Sequence, residues 1–305
     1  MPKKRRIWIV LLLIFSIVWP ISVKPLSAEF NGANPSEDNS AFPQAEFIDL
    51  LDEIIAAEQA RGLTGIQLAV YKDGELIKNS AYGYLNNFYT YKDEYGARIL
   101  DKAKVLPEAE RDPTEVTDLF DWASNTKMFA TTYALQRLVS QGQLIPGSEE
   151  VLSLDTKIGD VFPEFLEEGN DEGWKDEVTL GQVLSHQSGF ADKSFHNDAF
   201  VTEEFFSQDK ERTKEIIMRM PLAAEPNTRY LYTDVDMMLA GLLIEELTGQ
   251  PLDEYLEAEI YGPLGLDRLV FNPEDHGFQP DEVAASEIHG NTRVGATFTK
   301  MYVQM

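Results

Sequence analysis

The sequence has no cysteine and few basic residues for its length. Its 305 residues hold 26 Lys and Arg against 52 Asp and Glu, which gives a formal net charge of −26. Without cysteine the chain can form no disulfide, no thiolate metal site and no cysteine nucleophile. A charge this negative argues against nucleic acid as a partner, because binding to phosphates requires clustered Lys and Arg.

Several familiar catalytic motifs are missing as well. The sequence contains no Gly-x-Ser-x-Gly elbow, no His-Glu-x-x-His zinc helix and no phosphate-binding loop. Its four histidines, at positions 186, 196, 276 and 289, lack the spacing of metal ligands. We therefore expect no metal and no organic cofactor. The chain is nevertheless 43% hydrophobic and 11% aromatic, which is enough for a sizeable core and excludes wholesale disorder.

The first 28 residues differ in character from the acidic remainder. Basic residues precede an apolar run over 7–18, and small residues follow at Ser27 and Ala28. This order is typical of a secretory signal, and the run is shorter than the ~20 residues of a spanning helix. The alternative is an uncleaved anchor that associates with a membrane through residues 7–23. Either hypothesis predicts export to the cell envelope or the exterior, with residues 29–45 as a linker.

Beyond the linker, residues 46–305 are predicted to form one domain of strands followed by helices. Two strands, 65–71 and 76–84, flank an Asp-Gly pair that favours a hairpin turn. A polar segment over 86–117 is predicted to be a long loop. Helical periodicity is found at 47–60, 119–144, 179–184, 210–220, 237–248 and 252–259. Because a hairpin alone is marginal in water, the sheet needs further strands.

The first candidate catalytic motif is Ser124-Asn125-Thr126-Lys127. Residues three apart share a helix face, so the Lys127 ammonium can reach the Ser124 hydroxyl. A serine becomes a good nucleophile when a base takes its proton, and a partly desolvated lysine can be that base. A second copy at 207–210 has acidic surroundings and serves as an internal control. The alternative for Ser124 is a plain helix cap or surface serine.

The second candidate motif, Tyr230-Leu-Tyr232-Thr-Asp234, directly precedes a predicted helix. A tyrosine at a helix start can place its phenol oxygen in a pocket, where nearby cations favour proton transfer. The alternative is a pair of packed aromatic rings, with Asp234 as the helix cap.

Together the motifs resemble the serine β-lactamase and penicillin-binding protein superfamily. The resemblance is strongest to class C β-lactamases and to D-Ala-D-Ala carboxypeptidases of the penicillin-binding protein 4B type. The segments that carry it are 124–136, 184–190, 232–236, 248–252, 261–266 and 290–293. Their order and spacing match over about residues 45–293, which is far more specific than a lone Ser-x-x-Lys.

The resemblance implies a role for each candidate residue. Ser124 would be the acylated nucleophile, and its backbone N–H one oxyanion donor. Lys127 would be its proton partner, and Tyr232 the general base that also serves the leaving group. Asp234, where many relatives carry Asn, and Asn125 would support substrate binding, whereas the segment around His186 resembles a structural turn. The implied partners are peptidoglycan stem peptides and β-lactams. Carboxypeptidase, β-lactamase and esterase share this acylation machinery, so the resemblance leaves the choice among these activities open.

One departure from the family pattern concerns a third motif. The sequence contains neither Lys-[Ser/Thr]-Gly nor His-x-Gly, and the likeness ends near Arg293. The resemblance therefore implies an α/β, β-lactamase/transpeptidase-like fold, an antiparallel sheet plus a helical subdomain, with the C-terminal strands missing. The alternative hypothesis is an inactive truncated remnant or a non-catalytic cell-wall binding protein. A third, an acidic binding protein without acyl chemistry, rests on charge alone.

Overall fold

The computed structural model describes residues 8–11, 44–60, 63–89, 104–191, 209–279 and 282–284. The chain divides into two compact units, Met1–Asp121 with Phe278–His289, and Trp122–Gly277 with Gly290–Met305. Most of the predicted leader and linker, the serine of the 207–210 motif and the 290–293 segment lie outside the described residues.

The first unit is built on the predicted hairpin and one helix. Its main elements are β1 (Trp8–Leu11), α1 (Gln44–Ala60), β2 (Gly65–Lys72) and β3 (Glu75–Gly83). The strands pair antiparallel in the order β1-β2-β3. The turn residues Asp73 and Gly74 have φ of 53° and 89°, the geometry of the two-residue turn that Asp-Gly favours. The hairpin prediction is confirmed, and the described part of the predicted leader is a strand.

Alternation along β2 forms the core of this unit. Ile66, Leu68 and Val70 are buried on one face of the strand, because successive side chains of a strand point to opposite faces. Leu51 and Ile55, four residues apart on α1, pack in the same cluster. The helix periodicity and the strand alternation therefore meet in a single apolar layer.

The predicted loop over 86–117 contains short regular pieces where it is described. Strands β4 (Phe88–Tyr89) and β5 (Lys104–Val105) pair antiparallel, and Glu108–Glu110 forms one 3-10 turn. Leu119 then makes a parallel bridge with Val283. The prediction of helix from residue 119 is therefore wrong at its start, because Leu119 pairs with a distant segment.

The second unit is helical and contains the candidate site. Its α-helices are α2 (Tyr133–Gln141), α3 (Ile158–Val161), α4 (Leu180–Leu184), α5 (Lys210–Arg219), α6 (Asp234–Thr248), α7 (Leu252–Leu256) and α8 (Gly262–Leu264). The π-helical segments are Lys127–Thr132 and Glu257–Tyr261, and the 3-10 turns are Ala123–Asn125, Pro163–Leu166, Trp174–Glu177 and Pro273–His276. The predicted helices at 179–184, 210–220 and 252–259 are confirmed to within a few residues.

The central helix of this unit is α6, whose sequence is apolar on most of its surface. Nine of its residues are buried, among them Leu239, Leu243 and Ile244. The apolar ones pack with buried residues of α2, α4 and α5 in one large cluster. A helix that is apolar all round belongs in the middle of a core, and α6 takes that place. None of the helices in the described ranges is long and apolar enough to cross a membrane.

Candidate active site

Ser124 lies in a strained helix start. The preceding residue, Ala123, has φ of 42°, a left-handed conformation that residues with a Cβ rarely adopt. Ser124 follows in the 3-10 turn, and the chain then widens into the π-helical segment, a rare geometry that is frequent at functional sites. Thr132 Oγ1 donates to the Lys127 carbonyl oxygen over 2.7 Å. The result is an exposed Ser124 side chain at the tip of a helix.

Aromatic contacts within the second unit pack the residues around Ser124 against the helical segment that follows. The Trp122 and Phe129 rings meet edge to face with 4.6 Å between centroids, and Tyr133 contacts Phe129 in the same way at 5.5 Å. The Tyr261 hydroxyl donates to the Phe129 carbonyl oxygen over 2.9 Å. Edge-to-face pairs add about 0.5–1.5 kcal/mol each beyond their burial. The strained backbone at Ala123 is therefore held by packing on the following turn.

Four of the predicted site residues come together at Ser124. Lys127 Nζ donates to Ser124 Oγ over 3.2 Å, and the Tyr232 phenol donates to the same oxygen over 2.8 Å. Asp234 Oδ1 lies 2.5 Å from Lys127 Nζ. The fifth predicted residue, Asn125, lies in the same 3-10 turn, where its backbone N–H donates to the Trp122 carbonyl oxygen. A substrate-binding role for Asn125 stays a prediction.

The electrostatics of Lys127 decide what it can do. Burial disfavours its ammonium form, but the charge of Asp234 and hydrogen bonds with Asp234 and Tyr232 outweigh burial and raise the Lys127 pKa. These contacts therefore favour the ammonium form of Lys127. The role of Lys127 as the base for Ser124 stays a prediction. The phenol oxygen of Tyr232 is the neighbouring group that can exchange a proton with Ser124.

The start of α6 differs from the alternative that the sequence left open. The helix cap is Thr233, whose hydroxyl accepts from the Val235 N–H, and Asp234 is the first helical residue. Helix α6 therefore begins at Asp234, three residues before the predicted start at residue 237. Asp234 stands where the positive end of the helix favours a carboxylate, and from there it reaches Lys127.

Three residues of the site were not on the sequence-based list of catalytic candidates. Asp236, fully buried, lies with Oδ2 3.0 Å from His186 Nδ1 and accepts a 2.5 Å hydrogen bond from the Ser188 hydroxyl. Burial raises the pKa of Asp236, while the bonds from His186 and Ser188 oppose that rise. The His186 ring lies against Tyr232, with 4.6 Å between ring centroids. The motif at 184–190 signalled the turn, but no local spacing connects His186 with Asp236.

This arrangement can perform nucleophilic acyl chemistry. An exposed serine oxygen lies within hydrogen-bond reach of a phenol that can move a proton and of a fixed positive charge. Across the described parts of the chain, no group of three or more His, Asp or Glu could hold a metal ion. The fold and the site together are those expected of a serine nucleophile on an α/β scaffold.

Comparison with known proteins identifies the family. The family described as "Beta-lactamase" matches residues 51–299, so the chain belongs to the beta-lactamase family. A protein of Escherichia coli K12 named "Putative D-alanyl-D-alanine carboxypeptidase" is 36% identical over 277 residues, which are 90% of this chain and 58% of that protein. The N-acetylmuramyl-L-alanine amidase of Bacillus subtilis 168 is 36% identical over 247 residues, 80% of this chain and 51% of the amidase.

The fold comparison agrees with the family. A penicillin-binding protein homologue from Caulobacter crescentus superposes with a TM-score of 0.56 at 22% identity, over 77% of this chain and 53% of that one. The expected resemblance and the β-lactamase/transpeptidase-like fold are confirmed. The chain spans little more than half the length of the curated relatives it matches.

Proposed function

We propose that this protein is an exported D-Ala-D-Ala carboxypeptidase that acts on peptidoglycan stem peptides through an acyl-enzyme on Ser124. The observation that carries the proposal is the Ser124 oxygen, 2.8 Å from the Tyr232 phenol and 3.2 Å from the Lys127 ammonium. The printed name of the E. coli relative supports the substrate class. The sequence of residues 1–28 supports export, with 29–45 as linker and 46–305 as the catalytic domain.

In the proposed reaction the reactive form carries Tyr232 as a phenolate, its own proton having gone to solvent. The phenolate takes the Ser124 proton as Ser124 Oγ attacks the carbonyl carbon of the penultimate D-Ala. The Lys127 ammonium stabilises negative charge on the Tyr232 and Ser124 side-chain oxygens. The Ser124 backbone N–H donates to the oxyanion that forms on the substrate carbonyl. The C–N bond then breaks, and Tyr232 returns the proton to the departing D-Ala amine. Water hydrolyses the Ser124 ester, with its hydroxyl going to the acyl carbon and its proton returning to Ser124.

The first test is a penicillin adduct on the full chain, read as an increase in intact mass. Opening of the β-lactam by Ser124 should add the mass of one penicillin, because the acyl-enzyme retains every atom of the ring-opened drug. Ser124→Ala should abolish the adduct. Ser207→Ala, in the second Ser-x-x-Lys copy, is the matched control and should leave it unchanged. An adduct on the Ser124→Ala protein, or none on a chain that unfolds cooperatively, contradicts the proposal.

The second test separates the hydrolases that share this acylation step. A carboxypeptidase should release free D-alanine from a peptide ending in D-Ala-D-Ala and should keep its penicillin adduct for many minutes. Rapid loss of the adduct with product release would instead identify a β-lactamase. Cleavage of an N-acetylmuramyl-L-alanine bond, without D-alanine release, would favour the activity in the name of the B. subtilis relative.

A further inference from the structure

We propose that His186, held by Asp236 and Ser188, is a positioning residue that fixes the Tyr232 ring against Ser124. The inference rests on the proposed function, because it assigns the cluster a role in the same acylation step. It gives a function to a turn that the sequence motif marks only as structural.

His186 contacts Tyr232 and the residues on either side of it in the chain. The Leu231 N–H donates to the His186 carbonyl oxygen over 2.9 Å, and the Thr233 N–H lies 3.5 Å from His186 Nδ1. Between these two residues, the Tyr232 ring contacts the His186 ring with 4.6 Å between centroids. The Tyr230 ring meets His186 edge on at 6.0 Å. The backbone of His186 therefore holds Leu231, and its ring lies against the Tyr232 ring.

The backbone of His186 is left-handed where α4 ends. Its φ of 56° lies in the left-handed region, which Gly and Asn adopt more readily than other residues. The left-handed residue follows Ser185, the C-cap of α4, and its N–H donates to the Val183 carbonyl oxygen over 3.1 Å. Strain of this kind persists at sites where it serves a function. Here it places an aromatic ring on Tyr232, which Gly or Asn could not supply.

Asp236 fixes the orientation of that ring. It is fully buried at the third position of α6, and its two oxygens contact His186 Nδ1 and the Ser188 hydroxyl. A carboxylate on one ring nitrogen holds an imidazole in a single orientation and tautomer. Two residues earlier, Asp234 holds Lys127, whose Nζ lies 5.0 Å from the centre of the Tyr232 ring. The first turn of α6 thus carries two carboxylates that hold the two neighbours of Tyr232.

A positioning role predicts that a variant which still folds acylates more slowly. A purely structural role predicts an unchanged rate once the variant is folded. His186→Asn keeps a residue suited to the left-handed backbone and removes the ring, and Asp236→Asn removes the charge at constant shape. We expect kcat for D-alanine release and the rate of acylation by penicillin to fall roughly 10- to 100-fold, since small misplacements of a reacting group have effects of this size. KM should stay unchanged. His276→Asn, at an exposed histidine of the same unit, is the matched control.

The position of Tyr232 can also be observed without any reaction. In protein labelled with ¹³C at the tyrosine ring, the Tyr232 signal is assigned by its loss in Tyr232→Phe. We expect this signal to move in His186→Gly, to return towards its original position with added imidazole, and to stay in place in His276→Asn. Ser188→Ala, which leaves the ring in place and removes one partner of Asp236, should give a smaller shift of the same sign if the other variants unfold.

The two readouts separate the inference from the proposed function. A chain that forms no penicillin adduct but whose Tyr232 signal responds to His186 would contradict the enzyme and support the positioning contact. Folded His186 and Asp236 variants with acylation rates within twofold of the unmodified protein would overturn the inference. An unmoved Tyr232 signal in His186→Gly would overturn it as well.

Discussion

Lys127 and Asp234 form a largely buried ion pair beside Ser124. The side chains of Lys127 and Asp234 are only 12% and 9% exposed, so neither ion is well hydrated. A buried ion deprived of its partner is destabilised by about 3–5 kcal/mol, which is far more than a surface pair contributes. Asp234 therefore stabilises the ammonium beside Ser124.

Asp234→Asn should shift the high-pH decline of the acylation rate, the basic limb of its pH profile, to lower pH. Attraction to Asp234 raises the Lys127 pKa, so its loss lets Lys127 deprotonate at a lower pH. For the same reason, stability from this pair is present below the unfolded lysine pKa and is lost as pH rises through the higher folded one. The measurement is the rate of penicillin acylation from pH 6 to 11. Asp253→Asn, at an exposed acid in α7, should leave the limb in place; an unmoved limb in Asp234→Asn would contradict the assignment.

At the scale of elements, the turn after α4 depends on one close backbone approach. Gly189 has φ of 96°, and a Cβ there would lie 2.1 Å from the Ala224 carbonyl oxygen. The Gly189 carbonyl oxygen in turn accepts from the Ala223 N–H over 2.8 Å. This approach ties the 186–190 turn to the segment that leads towards Tyr232. By contrast Gly249, φ 69°, ends α6 in open space.

Gly189→Ala should destabilise the protein more than Gly249→Ala. Both alanines would be left-handed, at a cost of about 1 kcal/mol, but only the first would meet backbone. We expect the Gly189 variant to lose a further ~1–3 kcal/mol, the usual range for steric overpacking. The free energy of unfolding from urea titration measures both variants. Equal losses would show that the turn can move away from Ala224.

At the scale of the whole molecule, acidic residues outnumber basic ones two to one. Ion pairs such as Lys210–Glu245 and Arg137–Glu259 neutralise only some of these acids. The remaining like charges repel one another in the compact state, and that repulsion is long-ranged at low salt.

Added salt should therefore raise the melting temperature. Between 0.01 and 0.5 M salt the screening length falls from about 30 Å to a few ångströms, which weakens repulsion between separated carboxylates. NaCl and KCl at equal concentration should act alike, because screening depends on ionic strength. Calorimetry across this range tests the expectation. A melting temperature that falls with salt would indicate that the ion pairs stabilise the molecule more than the excess charge destabilises it.

Local patterns in the sequence were enough to predict the features that depend on near neighbours. The Asp73-Gly74 turn and the alternation along β2 specify the hairpin, since both depend on near neighbours. The i, i+3 spacing of Ser124 and Lys127 predicts the contact that is present. The order of six short segments was enough to identify the family, because that order holds along most of the chain.

Only the tertiary structure decided how the distant parts act on one another. Tyr232 lies 108 residues from Ser124, and Asp236 lies 50 residues from His186, so no periodicity relates them. The direction of the Lys127 pKa shift follows from its burial and from Asp234 and Tyr232 beside it, which are properties of packing. The start of the helix predicted from residue 119 is wrong for the same reason, because pairing of Leu119 with Val283 overrides a local preference.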